Sequence, residues 1–282
     1  MLRFVQIKKL TGNGAIGDVS WNLPEGAIRG MWVIDTLAAL IAPDITKFNV
    51  QVSGDNRVDL NGALVDTYNA KFNRAGFVAG GNILEWDFQE LPAKLPGLMR
   101  SVCPVVGPGV VAQVTWTQGV AATLEVWVAF DDNPGADGTK YIIKRVLRYG
   151  DKLGVSNLGS PQYTQALPSG VSTDPSSIID QGNWLRLWAV PDAGAIVQLA
   201  IGSMDQNALY NRPTALNALI VANLGFGPNP ATGDVFDGLE TGDMKPLDLA
   251  EKGYNATHKP AVYILNAAAA NYNFILESLG VK

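Results

Sequence analysis

The chain has 282 residues, a formal net charge of −5 at pH 7 and no run of Lys or Arg, which excludes nucleic-acid binding through a basic surface. Its 30 Gly and 16 Pro are too many for a long-helix architecture, and 47% hydrophobic residues are too many for a disordered chain. Charged residues make up only 17%, against ~25% in average soluble proteins, so part of the surface is expected to be buried against partners.

The first nine residues, Met1 to Lys9, hold no apolar stretch long enough for a signal peptide. No segment reaches the ~18 apolar residues of a membrane span. The expectation is a soluble chain made in a cytoplasm. Cys103 is the single cysteine, which rules out an intramolecular disulfide.

Period-two alternation dominates from the start. A first strand is expected over Phe4–Leu10. Val19, Trp21 and Leu23 then alternate with Ser20 and Asn22. Strands at Gly30–Asp35 and Phe48–Ser53 follow. Leu84, Trp86 and Phe88 alternate with Glu85 and Asp87; Leu124, Val126, Val128 and Phe130 alternate with Thr123, Glu125, Trp127 and Ala129. Such alternation is what a half-buried strand requires, because successive side chains point to opposite faces. Further strands are expected at Val111–Thr117, Tyr141–Leu147, Trp184–Val190, Ile196–Ile201, Ala261–Leu265 and Asn271–Glu277. Two segments have helical spacing instead. In Asn61–Phe72, Leu64, Tyr68 and Phe72 recur every four residues behind Asn61 as an N-cap. In Asn211–Asn223, Leu216, Leu219, Ile220 and, just beyond, Leu224 mark one helical face, with Pro213 in the first turn.

The two halves of the chain repeat one plan. Ile7-Lys8-Lys9-Leu10 matches Ile143-Lys144-Arg145-Val146, and Leu23-Pro24-Glu25-Gly26 matches Leu167-Pro168-Ser169-Gly170. Val50-Gln51-Val52 matches Val197-Gln198-Leu199, the helices begin at Asn61 and Asn211, and Val114–Val128 aligns without a gap on Val262–Leu276. Each pairing is weak, but their order and near-constant offset indicate tandem domains rather than a short-repeat solenoid. The turn-rich stretch from Asp131 to Gly138 marks the boundary. The expected fold is all-β with two short inserted helices. It consists of two tandem jelly-roll β-sandwiches: 1–132, a linker at 133–137, and 138–282.

Candidate chemistry is sparse. His258 stands alone in a loop with no nucleophile beside it, and Cys103 sits among apolar residues before Pro104. Glu85 and Asp87 lie two apart on one strand and share a face, the arrangement of a carboxylate pair or of an ordinary solvated face. Two acidic segments are the metal candidates: Asp131, Asp132 and Asp137, and Asp234, Asp237, Glu240 and Asp243. Hard oxygen ligands on loops suit calcium, although the spacing matches no EF-hand. Trp127 and Trp188 fall on the opposite parity from Val126 and Leu187. They line either a contact between domains or subunits, or a second core face.

The run of elements from Trp21-Asn22-Leu23-Pro24-Glu25-Gly26 onward resembles the double jelly-roll major capsid proteins of tailless, membrane-containing bacteriophages. That run continues through Met31–Asp35, Phe48 to Asp55, the first helix and Ile83 to Phe88, and the second half repeats it. A strand pattern beginning at Leu2, with no helical arm before it, resembles the compact corticovirus type. The resemblance implies a structural, non-catalytic subunit that forms homotrimers shaped as pseudo-hexagonal capsomers. These would pack against neighbouring capsomers, penton and minor capsid proteins in an icosahedral virion, over an internal membrane where one is present. No cofactor beyond a possible calcium ion is implied. The alternative is a two-domain β-sandwich that binds or acts on carbohydrate.

Overall fold

Alternating apolar residues can be buried only if each strand lies in a sheet with one face covered, so a chain rich in such strands folds into layers. The structure, a computed structural model, describes residues 2–11, 16–37, 40–72, 83–90, 96–136, 138–150, 164–166, 183–202, 210–223, 229–230, 232–238, 247–248, 261–267, 270 and 272–280. The chain divides into two compact units, Met1–Leu147 with Lys282, and Arg148–Val281.

In the first unit, one sheet runs in the order β1 (Leu2–Thr11), β9 (Thr123–Asp131), β3 (Gly26–Asp35), β6 (Ile83–Asp87), with the short β7 (Val105–Val106) also on β3. The other runs β2 (Ile16–Asn22), β8 (Ala112–Gln118), β4 (Ile45–Val52), β5 (Asp55–Leu60). Val146 and Leu147 of β10 (Ile143–Gly150) extend it in parallel on β5. Rings fill the space between the sheets. Phe48 of β4 meets Trp86 of β6 edge-on at 5.7 Å, and Trp116 of β8 lies 6.4 Å from both Phe48 and Trp21. The Trp116 indole stays satisfied in this core by donating to Gln118 Oε1 at 2.8 Å.

The second unit has the same wiring. β18 (Tyr272–Gly280) lies beside β12 (Asn183–Pro191) as β9 lies beside β3, and β15 (Asp234–Asp237) flanks β12 as β6 flanks β3. The two-residue β16 (Leu247–Asp248) sits on β12 as β7 sits on β3. In the other sheet, β17 (Ala261–Asn266) lies between β11 (Thr164–Ala166) and β13 (Ile196–Gly202), and β13 pairs with β14 (Tyr210–Pro213). Tyr210 and Phe236, 5.0 Å apart, join these two sheets. Helix α1 (Gly62–Lys71) connects β5 to β6, and helix α3 (Thr214–Asn223) connects β14 to β15, so the two helices hold the same place in the two units. The all-β double jelly roll expected from the sequence is therefore the fold.

Four details differ from expectation. A third short helix, α2 (Pro96–Ser101), precedes β7, where two helices were expected. α3 starts at Thr214 rather than Asn211, because Tyr210–Pro213 forms β14 on the edge of β13. The expected acidic loop at 234–243 opens with β15, all four residues of which are buried. The division between units falls after the stretch 133–137. Lys144 and Arg145 bind Ile143–Leu147 to the first unit through Glu90 at 2.7 Å and a two-pronged pair with Asp55 at 2.9 Å. The matched segment Leu167–Gly170 lies outside the described residues. No helix of the described residues is long and apolar enough to cross a membrane.

α1 forms as its sequence dictates. Asn61 caps it by accepting from the Leu64 amide at 2.9 Å, and Leu64, Val65 and Tyr68 are buried. Gly62 lets its first turn press against the 3-10 turn Ala42–Asp44. A Cβ there would overlap the Ala42 carbonyl oxygen and lie 2.8 Å from Ile45 Cβ. Gly62→Ala is therefore expected to destabilise the protein by about 1–3 kcal/mol through overpacking, although helix propensity favours Ala by up to ~1 kcal/mol. Urea denaturation checks the sign; a gain in stability would mean that the helix is not seated on that turn.

Candidate functional site: buried charge and exposed apolar surfaces

Charge sits in unusual places for so weakly charged a chain. On β12, Arg186 is 0% exposed, and its neighbours across the sheet are Asp237 of β15 and Glu277 of β18. Its Nε lies 2.8 Å from Asp237 and its Nη1 3.0 Å from Glu277, whose other oxygen accepts from the Trp188 indole at 3.0 Å. One row across three strands thus neutralises much of its own buried charge. Taking ions out of water costs several kcal/mol each, so such a row survives only when its members are paired and hydrogen-bonded.

The acidic candidates are placed as follows. Asp131 pairs with Arg29 at 3.0 Å, and Asp132 with Arg3 at 2.7 Å. Asp237 belongs to the Arg186 row. Asp234, fully buried, accepts from Thr214 Oγ1 at 2.9 Å, Asn217 Nδ2 at 2.7 Å, Asn229 Nδ2 at 2.8 Å and its neighbour's amide. These four carboxylates meet protein donors and do not converge on one point. Among the described residues no group of three or more His, Cys, Asp or Glu is arranged to hold a metal ion. Asp137, Glu240, Asp243 and His258 lie outside the described residues.

Glu85 and Asp87 share the outward face of β6, across from Trp32 and Gly30 of β3. Asp87 accepts from the Gln89 amide at 2.7 Å. Asp87 also lines a cavity with Arg57, Tyr68, Trp86 and Lys144, whose volume of about 10 Å³ has room for a water but not for a sugar ring. Cys103 is buried, and burial pushes its thiol up to about 12.

The two tryptophans part ways. Trp188 is fully buried and hydrogen-bonded inside the chain, so it offers no surface to another subunit. Trp127 is half-buried on the outward face of its sheet, directly across from Trp32 on one side and Gln6 on the other. Phe4, 61% exposed, stands on the same face with its ring 5.9 Å from that of Trp32. Trp32 lies flat over Gly30, where a Cβ would come within 2.9 Å of its ring. The result is an outward aromatic surface on strands β1, β9 and β3.

A second apolar surface lies on α3. Leu216 and Leu219, two of the residues expected to mark one helical face, are 47% and 59% exposed; Leu224 lies outside the described residues. The inward positions belong to Asn217 and Val221. Asn217 is drawn in by Asp234 and by the Val235 carbonyl, to which it also donates at 2.8 Å. α3 is thus docked through Asn217 and Val221 with its leucines outside, whereas α1 buries its one leucine, Leu64.

No protein-family model matches the chain, and no curated protein matches it. Among solved structures, the chain is similar to the major capsid protein P2 of bacteriophage PM2, with a TM-score of 0.70 and 12% identity over 100% of this chain and 98% of that one. It is similar to the major capsid protein of STIV, with a TM-score of 0.61 and 10% identity over 99% and 97% of the two chains. It is also similar to a chain of the PBCV-1 virus capsid, with a TM-score of 0.62 and 10% identity over 99% and 93%.

Two outcomes are expected. Arg186→Met should cost about 3–5 kcal/mol, since two buried carboxylates lose their cation. The triple variant Arg186→Met, Asp237→Asn, Glu277→Gln should recover part of that loss in the same denaturant titration. Cys103 should not react with a thiol reagent at pH 8 in the native protein and should react fully in denaturant, because thiolate is the attacking species and burial suppresses it.

Proposed function

We propose that the chain is the major capsid protein of an icosahedral bacteriophage shell and works by self-assembly, without catalysis. The observation that carries this reading is the likeness to three viral capsid chains, which spans both jelly rolls rather than one. A shell subunit needs rigid sandwiches with broad lateral faces, and two rolls of one wiring in a single chain supply them. Three copies then form a capsomer of six similar rolls, pseudo-hexagonal in outline, which packs against its neighbours. Penton and minor capsid proteins, and an internal membrane, belong to the same proposal, as does synthesis in the host cytoplasm before incorporation into the virion.

The low charge content supports the reading, since surface buried between copies is depleted of charge. The test is sedimentation or mass photometry of the purified chain. The expected mass is three times the 30.0 kDa of one chain. A stable monomer through the micromolar range, with no larger assembly at any salt concentration, would overturn the proposal.

A further inference from the structure

We infer that the outward side of α3 and the aromatic surface on β1, β9 and β3 are the two halves of one contact, made head to tail between successive copies of the chain. The inference rests on the proposed capsid function and names the surfaces through which it operates.

The two helices in equivalent places provide the internal comparison. α1 turns its apolar residues inward, with Leu64, Val65 and Tyr68 buried. α3 turns Asn217 and Val221 inward and leaves Leu216 and Leu219 outside, among the exposed Ala215, Ala218 and Ala222. Residues three and four apart share a face, so these side chains form one ridge. The helix, Thr214–Asn223, carries no charged residue along its length. An uncharged helix that holds two leucines out in water is suited to be half of an interface, because burying them against a partner removes apolar surface from water.

The aromatic surface is a fitting receptor. Phe4, Trp32 and Trp127 make a broad apolar floor on a sheet, and packing a helix on a sheet face is a standard way to bury both. Two of the nearby ion pairs are internal to the chain, Lys9 with Glu125 at 3.3 Å and Arg3 with Asp132 at 2.7 Å, and Glu85 of β6 stands across from Trp32 at the border of the surface. An uncharged helix docked there leaves the two ion pairs intact and brings no like charge against Glu85. The neighbours of a shell subunit are copies of itself, which makes a second copy the occupant. The two surfaces lie on different units and differ in chemistry, so the contact is heterologous. Such contacts propagate around a ring when the rotation closes, and a ring closing after three copies is the trimer. A helix-to-helix contact through α3 alone would be isologous and would stop at two.

The test uses two variants of the full chain, Leu216→Glu with Leu219→Glu, and Phe4→Glu. All three positions are exposed, so melting temperature and near-ultraviolet circular dichroism should match those of the unaltered chain. A Leu216→Ser, Leu219→Ser version serves if the charged one misfolds. Each variant alone should be monomeric by mass photometry, with self-association weakened about 30-fold or more, the loss of a ~2 kcal/mol hot spot. Mixed in equal amounts, the two variants retain one intact pairing, α3 of the Phe4→Glu chain on the aromatic surface of the other, and should form a species of two chains. If the unaltered chain is itself monomeric, the capsid proposal fails. If it assembles and either variant assembles equally well, the capsid proposal stands and this inference is overturned. Monomeric variants that give no mixed dimer overturn the head-to-tail pairing.

Discussion

Each jelly roll is closed by its own last strand. β9 is hydrogen-bonded on one side to β1 and on the other to β3, so residues from the end of the first unit hold together two strands from its beginning. Without β9 the sheet has no continuous face. The salt bridge of Arg29 with Asp131 joins β3 to the end of β9, and the outward cluster of Phe4, Trp32 and Trp127 draws one ring from each of the three strands. In the second unit β18 holds the corresponding place beside β12 and brings Glu277 to Arg186 and Trp188. Pairings this far apart in sequence pay the entropy of closing a long loop before any contact rewards it, which makes them slow to form and cooperative once made.

The distribution of charge follows from the same layering. In the described core, cations go inside together with their partners: Lys144 with Glu90 and Tyr68, Arg145 with Asp55, and Arg186 between two carboxylates. Breaking such pairs is costly, while their net contribution to stability is small. Their value is positional. Lys144 and Arg145 fix where β10 runs, and Arg186 fixes the register of β15 and β18 on β12.

Strand periodicity was legible because it follows from geometry alone, and α1 was legible because cap and apolar face agree. The direction of α3 was not. Spacing identifies a stripe of leucines but not whether the stripe faces in. Here a partner distant in sequence, Asp234, pulls Asn217 inward and turns the stripe out. β15 was hidden because two aspartates at its ends and glycines beside it read as a turn, whereas both carboxylates are buried by their donors. β5 was hidden by its polar composition, Asp-Asn-Arg-Val-Asp-Leu, which includes the Asp55 that meets Arg145. Trp188 broke parity for a simple reason: β12 buries Trp184 through Ala189 without interruption, so neither of its faces is exposed and alternation has no meaning there.

Two rolls with one wiring but opposite helices could have been two separate proteins. Joined in one chain, they are always present in equal number, and each always arrives with its counterpart. In the proposed shell, a mixture of separate rolls would have to sort itself, and every roll docked in the wrong place would have to leave before growth continued. The peptide connection through β10 removes that error. It also lets the two rolls diverge, as α3 has done by turning its leucines outward, without either roll losing its counterpart.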